Sequence, residues 1–130
     1  MSAPVTGGTA RVLVADDDAD IRDPVVFKLT QPGYSVEAVR DGTAAWEAFS
    51  ADPHDLAVLD IQMPGLNGID VLRKIRPGDH QGVPVLLLSA KSREHDVDLG
   101  FAEGADDYVI KPFSPRELLH RVKGLLAKAR

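Results

Sequence analysis

Apolar runs alternate with segments of mixed, helix-like patterning along most of the chain. ARVLVA (10–15), YSVEAV (34–39), LAVLD (56–60), VPVLLLS (83–89) and YVI (108–110) have the length and bulk of buried strands. Between and after them, residues 19–31, 43–50, 68–76, 93–103 and 115–128 predict helices, and Ser114 and Pro115 supply the last with an N-cap and a first-turn proline. Strand and helix thus alternate five times. Short connections and fully apolar central strands predict an α/β domain whose parallel sheet is covered on both faces. Trp46, at helical spacing, is expected to pack into that core. Pro24 lies inside the first predicted helix, where its missing N–H predicts a kink or a delayed start at Asp23. No internal repeat or low-complexity segment interrupts the pattern.

Composition narrows the class. A chain of 130 residues that is 44% hydrophobic suits one domain with one buried core. Residues 1–9 are expected to be a flexible leader and residues 10–130 the domain. The absence of cysteine excludes disulfides and thiolate metal sites, and the cytoplasm is the expected location. No apolar run approaches the roughly 20 residues of a membrane helix, so no membrane partner is expected. A net charge of -5 argues against direct nucleic-acid binding by this domain. His54, His80, His95 and His120 are scattered without ligand spacing and are expected at the surface.

The candidate chemistry follows from where the strands end. In open parallel sheets, ligands bind beyond the carboxyl ends of the strands, near the point where strand order reverses. The first strand ends in Asp16 and Asp17, the third in Asp60, the fourth in Ser89 and the fifth in Lys111. Carboxylates at a strand edge suit Mg2+, a hard ion that takes oxygen ligands. The metal and the Lys111 ammonium together would neutralise a phosphoryl group, Ser89 could donate to it, and Asp60 could attack phosphorus. Asp18 and Asp20 are assigned instead to capping the first helix and to its first turn. Asp106 and Asp107 precede the fifth strand and so belong to the opposite edge. An EF-hand reading of Asp16, Asp18 and Asp20 fails, because Ile21 stands at the glycine position and Phe27 at the terminal glutamate position. The competing enzyme reading is a haloacid-dehalogenase-type phosphohydrolase with Asp16 as nucleophile. Against it stand the order of the later motifs and the lack of room for a cap domain.

VLVADDDADI, LAVLDIQMPGLNGIDVL, VPVLLLSAKS and GADDYVIKPFSPRELLHRV, spanning about residues 10 to 128, together resemble the receiver domain of a two-component response regulator. The resemblance implies a flavodoxin-like (βα)5 doubly wound parallel sheet with strand order 2-1-3-4-5. It implies that Asp60 accepts phosphate from a sensor histidine kinase, with Mg2+, or Mn2+ in its place, held by Asp16, Asp17, Asp60 and the main-chain carbonyl of Gln62. Ser89 and Lys111 would contact the phosphoryl oxygens, and Ser89 with Tyr108 would form the switch. The Lys111–Pro112 bond would be cis, and Gln62 and Lys91 would tune the lifetime of the phosphorylated state. The ending GADDYVIKPFSPREL is most similar to the OmpR/PhoB class, which implies transcription regulation. It also implies a homodimer through the fourth helix, fifth strand and fifth helix, with Asp107, Glu117 and Arg121 on the dimer surface. Val97 stands where that class often has a basic residue.

Overall fold

Five parallel strands, β1 (Arg11–Ala15), β2 (Ser35–Val39), β3 (Leu56–Asp60), β4 (Val85–Ala90) and β5 (Asp107–Lys111), form one sheet in the order β2-β1-β3-β4-β5. Helices α1 (Ala19–Thr30), α2 (Gly42–Ala51), α3 (Gly68–Ile75), α4 (Glu94–Ala102) and α5 (Pro115–Lys128) alternate with them. This computed structural model describes residues 10–78, 82–90 and 94–129. The expected leader, His80 and Lys91 lie outside the described residues. The sheet and its strand order are those expected from the sequence.

Strand alternation divides the interior in two. Val12, Val14, Val58, Leu86 and Leu88 face α1 and α5, where they meet Val25, Leu29, Leu118, Val122 and Leu126. Leu13, Ala15, Ala57, Leu59, Val85 and Leu87 face the other way, toward Ala45 and Phe49 of α2 and Val71, Leu72 and Ile75 of α3. Burying each large aliphatic side chain contributes roughly 1.5–3 kcal/mol, which is why β1, β3 and β4 read as unbroken apolar runs. β1 pairs with both β2 and β3, so strand order reverses between β1 and β3. The register sets Ala15 opposite Leu59, which leaves Asp16 and Asp60 emerging side by side.

Caps fix where the chain turns from strand edge to helix. Asp18 Oδ1 accepts from the Asp20 amide at 2.9 Å, and Asp41 Oδ1 from the Ala44 amide at 2.7 Å. Asn67 and Asp70 cap α3 reciprocally, and Ser114 accepts from the Glu117 amide at 3.0 Å. With Asp18 in this role α1 begins at Ala19, not at Asp23. Pro24 is accommodated because it faces solvent while Val25 and Leu29 anchor the helix. The Lys111–Pro112 bond is cis.

Two further expectations change. His54 is buried, not at the surface: its Nε2 lies 2.9 Å from Glu37 Oε1 and its ring stacks on Phe49 at 6.0 Å. The loop after α2 folds under the sheet, held by Arg11, and carries His54 inside with it. His95 and His120 are exposed as expected. Trp46 is only half-buried, at the margin of the α2/α3 core, stacked with Phe49 and with the Lys74 ammonium 5.8 Å from its ring. Among the described residues no helix is long and apolar enough to cross a membrane.

Candidate functional site

The carboxyl edge of the sheet gathers residues from three strands. Asp16, Asp17 and Asp60 each bring a carboxylate oxygen within 4.8 Å of the others. Asp16 and Asp60 are buried and Asp17 is exposed, so the cluster opens to solvent on one side. Lys111 Nζ lies 3.0 Å from Asp60 Oδ2 and 3.2 Å from Asp16 Oδ2. Asp60 Oδ1 accepts from the Gln62 amide at 3.2 Å, and Asp16 Oδ1 from the Asp18 amide at 2.9 Å. Asp16 Oδ2 has no directed hydrogen bond although it is fully buried; the ammonium is an ion-pair neighbour only.

Three carboxylates therefore face one ammonium, and the electrostatics register the imbalance. Burial first, and then the charge of Asp16, push the Asp60 carboxyl up to about 6, against the opposing pull of Lys111 and the Gln62 amide. Burial alone would lower the Lys111 pKa, but Asp60 and Asp16 together outweigh it, and the ammonium is held more firmly than usual. An all-carboxylate donor set with an unsatisfied buried oxygen fits a hard divalent cation. Beside it, Asp17, Ile61, Gln62, Met63, Asn67 and Asp96 line part of an open cavity of about 500 Å³.

The other expected site residues are less tightly gathered. Ser89, buried on the neighbouring strand, turns its hydroxyl to the Ala90 carbonyl at 3.2 Å. Tyr108 is half-buried and meets Phe101 edge to face at 5.4 Å. Arg121 donates to both oxygens of Asp107 at 3.0 and 3.1 Å and lies 3.6 Å from Glu117, so these three pair within the chain. Val97 is buried. Asp106 lies at the amino end of β4, where it accepts from the Val85 amide at 2.8 Å and from Arg76 at 2.9 Å. Sequence reasoning missed Arg22, whose guanidinium donates to the Asp16 carbonyl at 2.9 Å. No pattern marks an arginine on a solvated helix as a partner of backbone six positions earlier.

Comparison with known proteins agrees with this geometry. The family described as response regulator receiver domain matches residues 12–123. The chain belongs to this family. It is 43% identical over 118 residues to the DNA-binding response regulator MtrA of Mycobacterium tuberculosis, covering 91% of this chain and 51% of that protein. It is also 43% identical over 117 residues to the transcriptional regulatory protein CseB of Streptomyces coelicolor, covering 90% of this chain and 49% of that one. Among solved structures, the Francisella response regulator 1452 receiver domain superposes with a TM-score of 0.84 at 35% identity, covering 93% of this chain and 99% of that chain. The chemotaxis response regulator CheY4 of Vibrio cholerae gives 0.84 at 30% identity, covering 90% and 98%. The receiver domain spans about half the length of the curated relatives. The phosphohydrolase alternative finds no support here: the matching family and these relatives are response regulators.

Proposed function

We propose that Asp60 is the phosphoryl acceptor of this receiver domain, and that its phosphorylation by a sensor histidine kinase is the signalling event. The supporting observation is the placement of Asp60 Oδ2 3.0 Å from the Lys111 ammonium, within a three-carboxylate cluster that is open to solvent beside Asp17. In the reaction an Asp60 oxygen bonds to phosphorus as the phosphorus–nitrogen bond to the kinase histidine breaks. The imidazole leaves with that electron pair, and the product is an acyl phosphate. Mg2+, held by Asp16, Asp17, Asp60 and the Gln62 carbonyl, supplies charge neutralisation at the phosphoryl oxygens when bound, and Mn2+ takes the same ligands. Lys111 transfers its ion pair from the carboxylate to a phosphoryl oxygen, and Ser89 gives up the Ala90 carbonyl to donate to another.

The added charge biases the packing of α4, β5 and α5, with Tyr108 and Ser89 as the moving side chains. That surface, with Asp107, Glu117 and Arg121, serves a homodimer. The names of MtrA and CseB support transcription regulation as the output. The net charge of -5 assigns DNA contacts to a region outside this domain, and the lack of cysteine fits the cytoplasm as its location. Gln62 and Lys91 adjust how long the phosphoryl group survives. The test is uptake of phosphate from acetyl phosphate with Mg2+, read by intact-protein mass. Wild type gains one phosphoryl group and Asp60→Asn gains none. Uptake by Asp60→Asn together with its loss in Asp16→Asn overturns the assignment.

A further inference from the structure

The loop from Ile61 to Leu66, which carries Gln62, is pressed between the first turns of two helices, and both contacts are made by glycine. On one side Gly68, the first residue of α3, lies against the end of β3: a Cβ there would stand 2.5 Å from the Asp60 carbonyl oxygen and 3.1 Å from Ile61 Cα. The Gly68 amide donates to the Ile61 carbonyl at 3.0 Å, which closes the loop on itself. On the other side Gly42, the first residue of α2, lies against Leu66. A Cβ on Gly42 would overlap the Leu66 carbonyl oxygen and reach 2.7 Å from Leu66 Cβ. The neighbouring pair repeats the contact, since a Cβ on Gly65, at φ +73°, would come within 3.0 Å of Thr43 Oγ1. At Gly42 and Gly68 the nearest atoms are backbone, so no flexible side chain can yield to an added methyl group there.

We infer that Gly42 is a positioning residue for the metal and phosphoryl site: α2, which contributes no ligand, sets through Leu66 and Gly68 where Asp60 and the Gln62 carbonyl stand. The inference rests on the function proposed above. Its physical basis is the narrow tolerance of Mg2+, which demands near-ideal octahedral geometry, so a displacement of a few tenths of an ångström in a ligand-bearing loop reaches the ion. Gly42 is buried at a helix start whose cap, Asp41, would survive the substitution.

The experiment measures Mg2+ affinity by calorimetry, and amide chemical shifts of Ile61 and Gln62 in EDTA, for wild type, Gly42→Ala, Leu66→Ala and Leu126→Ala. Leu126 lies in the α1/α5 core, and its truncation destabilises the fold without touching the loop. Gly42→Ala is expected to weaken Mg2+ binding roughly tenfold to a hundredfold, the range for removal of a ligand's outer support, and to shift both amides. Leu66→Ala keeps the carbonyl and Cβ that meet Gly42 but removes the rest of a side chain packed on the α2/α3 core, which loosens the loop against α2. It weakens binding in the same direction and serves where Gly42→Ala does not fold. Leu126→Ala keeps wild-type affinity. Affinity unchanged within about twofold in the loop variants that fold, or an equal loss in Leu126→Ala, overturns the inference while leaving Asp60 as acceptor. A wild-type chain that binds no Mg2+ overturns both.

Discussion

At the scale of single residues, the four aspartates after β1 separate by what they touch. Asp18 holds an amide of α1, so Asp18→Ala costs about 1 kcal/mol in urea unfolding and leaves Mg2+ affinity close to wild type. Asp17 is exposed, so Asp17→Ala barely changes stability and loses most of the Mg2+ affinity; equal effects of the two variants on both measurements would refute the division. Asp60 adds a pH dependence whose sign follows from its surroundings. In the metal-free protein it titrates at about 6, mainly through burial and then through Asp16, whereas the unfolded chain releases that proton near its ordinary value of 3.8. Between roughly pH 4 and 6 the folded state therefore binds the extra proton, and stability falls as pH rises through that window and stays low above it. A shift of this size corresponds to about 3 kcal/mol, which screening by water at the open side reduces to about 1–2 kcal/mol. Asp60→Asn is expected to flatten the profile in EDTA and to be the more stable protein by that amount at neutral pH. The same slope in both proteins would show that the charge cluster is not strained.

Elements are held in place by groups that the hydrophobic pattern does not disclose. Arg76, the C-cap of α3, donates through Nε and Nη2 to the Gly104 carbonyl at 2.9 and 2.7 Å and through Nη1 to the Val83 carbonyl at 2.8 Å, and it pairs with Asp106. With Arg73 3.3 Å from Glu103, it fastens the C-terminal end of α4 to α3. Arg76→Ala should cost about 2–3 kcal/mol, because the half-buried carbonyls lose a charged donor, and should speed amide exchange in Ala105 and Asp106. Unchanged exchange there would deny the clamp. This kind of contact explains what was legible in the sequence. β1, β3 and β4 were readable because both faces are buried, and α5 because Ser114-Pro115 marks its start. The gathering of Asp16, Asp60 and Lys111 at one edge of the sheet is readable too, since each stands where an apolar run ends. Arg76, Arg22 and Gly42 act through backbone atoms outside their own helices, and His54 is buried by a loop, so none leaves a periodic trace. Pro24 does not delay the start of α1: an exposed proline costs one hydrogen bond, which the burial of Val25 and Leu29 outweighs.

At the scale of the whole molecule, the proposed dimer needs a source of favourable energy that phosphorylation of Asp60 would make available. The charged residues expected on the dimer surface already satisfy one another, since Arg121 holds both Asp107 and Glu117 within the chain. Exchanging such pairs for equivalent ones across an interface gains little, as exposed ion pairs contribute only about 0–1 kcal/mol. Val97 cannot add a charge and is buried in any case. The favourable energy must then come from apolar surface, and on this face Phe101 is 45% exposed and packs edge to face on Tyr108. An inward turn of Tyr108 would release Phe101 from that contact and leave it free to pack on a partner. The receiver domain is thus expected to be monomeric or weakly dimeric alone, and to dimerise more tightly with Mg2+ and beryllofluoride, which stands in for the phosphoryl group on Asp60. Concentration-dependent light scattering measures the difference. Phe101→Ala should reduce the beryllofluoride-induced dimer by about tenfold or more in affinity, whereas Arg121→Ala should change it by only a few fold. A reversed order would make the ion pairs the source of affinity, and a monomer unchanged by beryllofluoride would remove this face from the output altogether.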